Sequence, residues 1–190
     1  MTEEKHFFEV FPGFECPEDV RELFEQVFVS EAVLVKSEKT LKIHIKSKIL
    51  ISKQDIYEIE DMLSDFVFQG NMRVKLLEHY DLSGQYNISR LTEIYKDSLL
   101  FELQAESSVL YRLVKNAEWF IDGNIITLTL DDTFLAKTRS VDIKKYLEKV
   151  YKERFDYDIR VGFDFTEEQK DSIRRANEHK LHLEVHQIME

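Results

Sequence analysis

The sequence predicts an α+β fold of two β-β-α-β modules, each preceded by helix, and three observations support this. Residues Glu118 to Phe165 read as strand, tight turn, strand, amphipathic helix, strand. Residues Ala32 to Tyr80 follow the same order earlier in the chain, an internal repeat of plan. A chain of 190 residues with 43% hydrophobic content is also large enough for two small packed cores. The expected division is 1–80 as an N-terminal domain with an acidic, aromatic-rich leader, 81–165 as a second domain, and 166–190 as a polar helical tail or linker.

The leader opens with Phe7, Phe8, Val10, Phe11 and Phe14, interrupted by Pro12-Gly13. Large apolar side chains are usually buried, so the preferred expectation is that this segment packs on the first module. The competing reading makes Phe7, Phe8 and Phe11 contacts for a partner protein, since clustered aromatics form binding hot spots. Pro17 suits the first position of a helix, and Val20, Leu23, Phe24, Val27 and Phe28 share one face of it.

In the first module, Ala32 to Val35 reads as a strand, Ser37-Glu38-Lys39 as a turn, and Leu41, Ile43 and Ile45 alternate with Lys42, His44 and Lys46 in a second strand. His44 reads as a surface histidine. Ser52 and Asp55 are spaced as a weak capping box, and Ile56, Ile59, Leu63, Phe66 and Val67 supply a buried helix face. Gln69-Gly70-Asn71 ends that helix, because Gly and Asn tolerate the left-handed conformation. Met72, Val74 and Leu76 then alternate as the third strand.

Asp81 to Tyr86, with Ser83-Gly84, reads as the linker. Asn87 is placed to cap a helix striped by Leu91, Ile94, Tyr95, Leu99 and Leu103, and Ser107 or Ser108 restarts a second helix bearing Leu110, Leu113 and Val114. Trp119, Phe120 and Ile121 lead into Asp122-Gly123-Asn124, whose Asp-Gly pair suits a hairpin turn. Ile126, Leu128 and Leu130 face one way on the next strand. Ile143, Tyr146, Leu147, Val150 and Tyr151 recur at helical spacing, and Ile159, Val161, Phe163 and Phe165 alternate in the last strand.

Composition narrows the function classes. No run of apolar residues is long enough to span a membrane, and the acidic start is unlike a signal peptide, so a cytoplasmic location is expected. Cys16 is the single cysteine, which excludes an internal disulfide and a cysteine-based zinc site. The net charge is −11, and nine acids in residues 1–31 face only Lys5 and Arg21. Neither module carries the basic excess of a strong nucleic-acid binder.

The second half resembles the KH type II arrangement, in which a Gly-x-x-Gly loop grips nucleic-acid backbone. The corresponding segment here, Asp131 to Arg139, has no glycine. Lys137 and Arg139 are the residues there able to touch a phosphate, against the reading of a solvated helix start. Asp131-Asp132 and Glu60-Asp61 are neighbouring carboxylates without a matched third ligand, and the former pair suits the positive end of a helix dipole. His179, His182 and His186 would share one helix face, suited to adventitious nickel or zinc rather than a physiological metal site. No phosphate loop, nucleophile elbow or His-Glu-x-x-His motif is present. No catalytic residue, cofactor or metal is therefore expected.

Four segments carry a resemblance to a known family. Lys48 to Leu63 (KILISKQDIYEIEDML), Leu91 to Leu113 (LTEIYKDSLLFELQAESSVLYRL), Gly123 to Thr133 (GNIITLTLDDT) and Tyr151 to Phe165 (YKERFDYDIRVGFDF) run in register with the extreme N-terminal region of the PolC-type DNA polymerase III alpha subunit of low-GC Gram-positive bacteria. The resemblance rests on the order and spacing of elements rather than on an invariant motif. It implies a non-catalytic leader of two domains, the first related to the polymerase-binding domain of the clamp-loader subunit tau and the second KH-like. An OB domain, a PHP domain with an inserted 3'-5' exonuclease and the polymerase core would follow. The implied role is protein interaction within the replisome, with the clamp-loader tau subunit as the partner. Binding of single-stranded nucleic acid by the KH-like module is the alternative.

Overall fold

The computed structural model describes residues 4–166. Within them lie two small sheets, one per module, each with a helix laid across one face. The first sheet has the order β1-β2-β3-β4 and the second β5-β6-β7. Strands β1 (Lys5–His6), β2 (Val27–Val35) and β3 (Thr40–Ser47) are antiparallel neighbours, and β4 (Arg73–Tyr80) runs parallel to β3. A parallel pair needs a crossover, and the helix α3 (Lys53–Phe68) provides it. The second module repeats this plan: β5 (Glu118–Asp122) and β6 (Ile125–Asp131) form a hairpin, α6 (Phe134–Phe155) crosses over, and β7 (Arg160–Thr166) lies parallel to β6. The second module opens with α4 (Ile88–Glu106) and α5 (Ser108–Asn116), which precede its strands.

The expected alternations hold. Ile43 and Ile45 of β3, Val74 and Leu76 of β4, and Ile126, Leu128 and Leu130 of β6 are buried, as are Ile143, Leu147, Val150 and Tyr151 of α6. The expected caps hold as well. Ser52 Oγ accepts the Asp55 N–H at 3.1 Å and donates to its carboxylate at 2.7 Å, and Asn87 accepts the Arg90 N–H at 2.8 Å. Ser107 both ends α4 and caps α5. The left-handed stop expected at Gln69-Gly70-Asn71 is present, but on Gln69 and Gly70, with φ of 52° and 74°, rather than on Asn71.

Several expectations are corrected. The second helix, α2 (Glu18–Phe24), stops before Val27 and Phe28, which begin β2 instead, and Pro17 stands just before the helix. Val27 and Val29 are buried while Phe28 is half-buried on the opposite face, so the stretch follows a period of two although it also fits a helical stripe. A bulge between Val29 and Glu31 then shifts the register and leaves Ala32, Val33 and Leu34 exposed. Phe66 and Val67 on α3, and Ile94 on α4, are exposed rather than buried. The hairpin turn is Gly123-Asn124, between the paired Asp122 and Ile125, and Gly123 carries the positive φ of 57°. Thr133 rather than Asp132 caps α6, accepting the Ala136 N–H at 3.1 Å.

The leader is part of the first core. Phe7, in the four-residue α1 (Phe7–Val10), is fully buried, with Phe8, Phe11, Phe14 and Phe24 around its ring at centroid distances of 4.8 to 6.1 Å. The preferred packing reading therefore describes Phe7 and Phe11. Phe8 is half-buried beneath the guanidinium of Arg21, 4.5 Å from its ring centre.

One detail recurs in both modules. Glu60 of α3 accepts the backbone N–H of Leu76 on the edge strand β4 at 2.7 Å, and Glu148 of α6 accepts that of Val161 on the edge strand β7 at 3.0 Å. Each helix thus satisfies an edge N–H that no neighbouring strand can reach. Burial raises the Glu60 carboxyl to about 7, against the lowering effects of the Leu76 N–H and Lys53.

Replacing Phe7 by Ala empties the centre of the aromatic cluster and is expected to cost about 3–5 kcal/mol in urea unfolding. Because the folded Glu60 keeps its proton to higher pH than the unfolded carboxyl does, stability declines as pH rises from about 4.5 to 7. Glu60→Gln keeps the acceptor and removes the titration, so the difference in unfolding free energy between pH 5 and pH 8 should shrink in the variant; an unchanged difference would rule out Glu60 as its source.

Candidate functional site

The two modules meet across a buried cluster of four charges. The register of β4 that turns Val74, Leu76 and Tyr80 inward turns Glu78 inward as well. Lys53, the first residue of α3, is held at the seam by its backbone N–H, which donates to Ser98 Oγ of α4 at 3.1 Å. Its Nζ donates to Glu78 Oε1 at 2.7 Å and lies 3.6 Å from Glu102 Oε1 of α4. Arg154 of α6 completes the group. Its Nη2 donates to Glu102 Oε1 at 2.7 Å, its Nη1 to the Tyr95 hydroxyl at 3.3 Å, and its Nε lies 3.8 Å from Glu78 Oε2. The Tyr146 hydroxyl donates to Glu102 Oε2 at 2.9 Å.

Each module supplies one acid and one base, so the cluster is neutral. Burial alone would raise the Glu102 carboxyl, but the hydrogen bond and charge of Arg154, with Lys53 and Tyr146, bring it down to about 2. Burial opposes the charge on Arg154, yet Glu78, Tyr95 and Glu102 raise its pKa above the ordinary guanidinium value. Burial and the Glu102 charge push the Tyr146 hydroxyl up. No buried side-chain nitrogen or oxygen among the described residues lacks a partner. Held by bases from both modules, these carboxylates act as a lock between them. Aromatic rings extend the seam: Tyr80 stacks on Phe155 at 5.4 Å, and Tyr95 meets the same ring edge-on at 5.1 Å.

Above this cluster opens a cleft of about 750 Å³ between the outer face of the first sheet and α6. Lys42, His44 and Lys46 of β3, Lys75 and His79 of β4, and Lys149 of α6 line it, with Glu106 and Glu153 on the second module's side. His79 Nδ1 lies 3.1 Å from the Glu153 carbonyl, tying the mouth of the cleft to the end of α6. Sequence reading placed Lys42, His44 and Lys46 on a polar face without foreseeing that a second module would wall it.

The residues singled out for phosphate contact lie elsewhere. Lys137 and Arg139 are exposed on the first turns of α6; Lys137 pairs with Asp132 and lies over the Phe165 ring, and Arg139 pairs with Asp142 at 3.0 Å. Beside them is an apolar stripe that sequence reading did not single out. Phe134 is 87% exposed, and Val141, seven residues on and on the same helix face, is 55% exposed, with Leu135 adjoining. Only Ala136 of the first turn is buried. No three His, Cys, Asp or Glu side chains among the described residues converge as metal ligands, and the helix carrying His179, His182 and His186 was expected beyond the described residues. No helix among the described residues is long and apolar enough to cross a membrane.

The extent of the first module can now be set against known families. Residues 6–76 match the family model of the DNA polymerase III polC-type N-terminus I. The match runs from His6 of β1 to Leu76 of β4, taking in the aromatic leader, the first two helices, the β2–β3 hairpin and α3. It agrees with the resemblance read from sequence and lies within the first of the two expected domains. No curated protein matches the chain. The matched segment contributes Lys53 to the seam, together with the β3 wall of the cleft and Lys75. Glu78 and His79 lie on the same strand just past it.

The seam predicts its own response to substitution. Arg154→Met leaves Glu78 and Glu102 buried beside Lys53 alone, and should cost about 3–5 kcal/mol in chemical denaturation. Arg139→Met, which breaks an exposed pair, should cost less than about 1 kcal/mol.

Proposed function

We propose that this chain is a non-catalytic N-terminal region of a PolC-type replicative DNA polymerase and serves as a protein-interaction module in the replisome. The family match supports the origin, and the exposed stripe of Phe134, Leu135 and Val141 carries the interaction role. A phenylalanine left almost wholly in water at the start of a long helix is a ready anchor for an apolar pocket on a partner. The resemblance read from sequence points to the clamp-loader tau subunit as that partner. The carboxylates at the seam are committed to Lys53 and Arg154, in keeping with a chain that does no chemistry itself. The alternative, a KH-like second module gripping single-stranded nucleic acid through Lys137 and Arg139, has less behind it, since the Asp131 to Arg139 segment has no glycine to let a phosphate approach the backbone.

The test is a calorimetric titration of the chain with purified clamp-loader tau subunit at low and physiological salt. Saturable binding that tolerates salt is expected. Phe134→Ser combined with Val141→Ser should weaken it about thirtyfold or more, as loss of a hot spot of about 2 kcal/mol requires. Absence of a complex, or equal affinity in the variant, would overturn the proposal.

A further inference from the structure

We infer that the inter-module cleft binds the phosphodiester backbone of single-stranded nucleic acid, along the outer face of the first sheet rather than at the second module's helix start. The register of the parallel β3–β4 pair carries the argument. Lys42 lies directly beside Lys75, His44 beside Leu77, and Lys46 beside His79, all on the outward face. Lys42 and Lys75 set two like charges side by side on neighbouring strands, an unfavourable placement that an anion laid across them relieves, and Lys46 adds a further cation along the same face. The rows recur every second residue, about 6.6 Å apart along the strands, so basic side chains line the face along its length. Lys149 adds a cation from the opposite wall.

Aromatic groups flank the rows. Phe28 of β2 pairs with Lys46 on the outward face, and His6 of β1 lies against the Phe28 ring at 4.2 Å. A cationic groove beside aromatic rings is the arrangement that holds single strands without reading their sequence. The basic residues have acidic neighbours: Glu38 for Lys42, Glu4 for Lys46, Glu106 for Lys75 and Glu153 for Lys149. These are solvent-exposed pairs of the kind worth little, so phosphates can take their place. The floor is different. Lys53 and Arg154 are held by Glu78 and Glu102 and stay out of the exchange.

The test is fluorescence anisotropy of the full chain with fluorescein-labelled oligothymidine between about 50 and 200 mM salt. Binding that weakens as salt rises is expected. Lys42→Ala with Lys75→Ala should reduce the slope of log affinity against log salt by about 1.4, at about 0.7 for each phosphate no longer neutralised. Lys149→Ala, on the opposite wall and away from the sheet, should reduce it by about 0.7 and guards against a folding defect in the double variant. Lys137→Ala with Arg139→Ala should leave it unchanged. Three results would overturn the inference: no binding at low salt, binding abolished only in the Lys137 and Arg139 variant, or competition by polyglutamate equal to that of unlabelled oligothymidine, which would make the ligand an acidic peptide.

Discussion

The arrangement of the two modules depends on four buried charges. Lys53, Glu78, Glu102 and Arg154 come from four different elements, two in each module, and each has partners across the seam. A hydrophobic seam could slide by a fraction of a turn at small cost, because apolar contacts are not directional. A buried ion cluster cannot, since displacing one member leaves another desolvated and unpaired. The network therefore specifies one relative placement of α3, β4, α4 and α6. The cleft above it inherits that placement, because Lys149 and Glu153 stand on the helix that carries Arg154, and Lys75 and His79 on the strand that carries Glu78.

The modules also share a way of finishing their sheets. In each, the residue after a buried helix position, Glu60 after Ile59 and Glu148 after Leu147, reaches over the edge strand to accept a backbone N–H. An edge left bare would invite pairing with another chain, and a helix carboxylate blocks that without a further strand. The device accompanies the repeated β-β-α-β order, so the likeness between the halves extends from topology to a specific hydrogen bond. The second module lies outside the family match and is tied to the first by contact as well as by plan.

Local signals were legible where a single period acted alone. The alternation of β3 and β6, the stripe of α6, the caps at Ser52 and Asn87, and the stop at Gln69-Gly70 were all visible in the sequence, since each depends on residues within one turn or one pleat of each other. The signal failed where two periods overlapped. Val20 to Phe28 satisfies a helical stripe, yet Val27, Phe28 and Val29 pair with Ser47, Lys46 and Ile45 of β3 and are drawn into the sheet. Phe66 and Val67 continue the apolar count of α3 yet stay exposed, Phe66 meeting the edge of the aromatic leader at Phe14, 5.5 Å away. One clue to the seam was present and unused: Glu78 occupies an inward position two residues after Leu76, where an acid demands a buried base.

What the sequence determined by itself was the α+β class and the two repeated modules, because these follow from periodicity, caps and turns acting over short range. Which charges would be buried together was decided only by the tertiary structure. Lys53 and Arg154 are about a hundred residues apart and carry no mark separating them from the many surface bases. They become partners because α3 and α6 are brought to the same pair of carboxylates. The same packing turned a polar sheet face into one wall of a cleft, and left Phe134 in water at the start of α6.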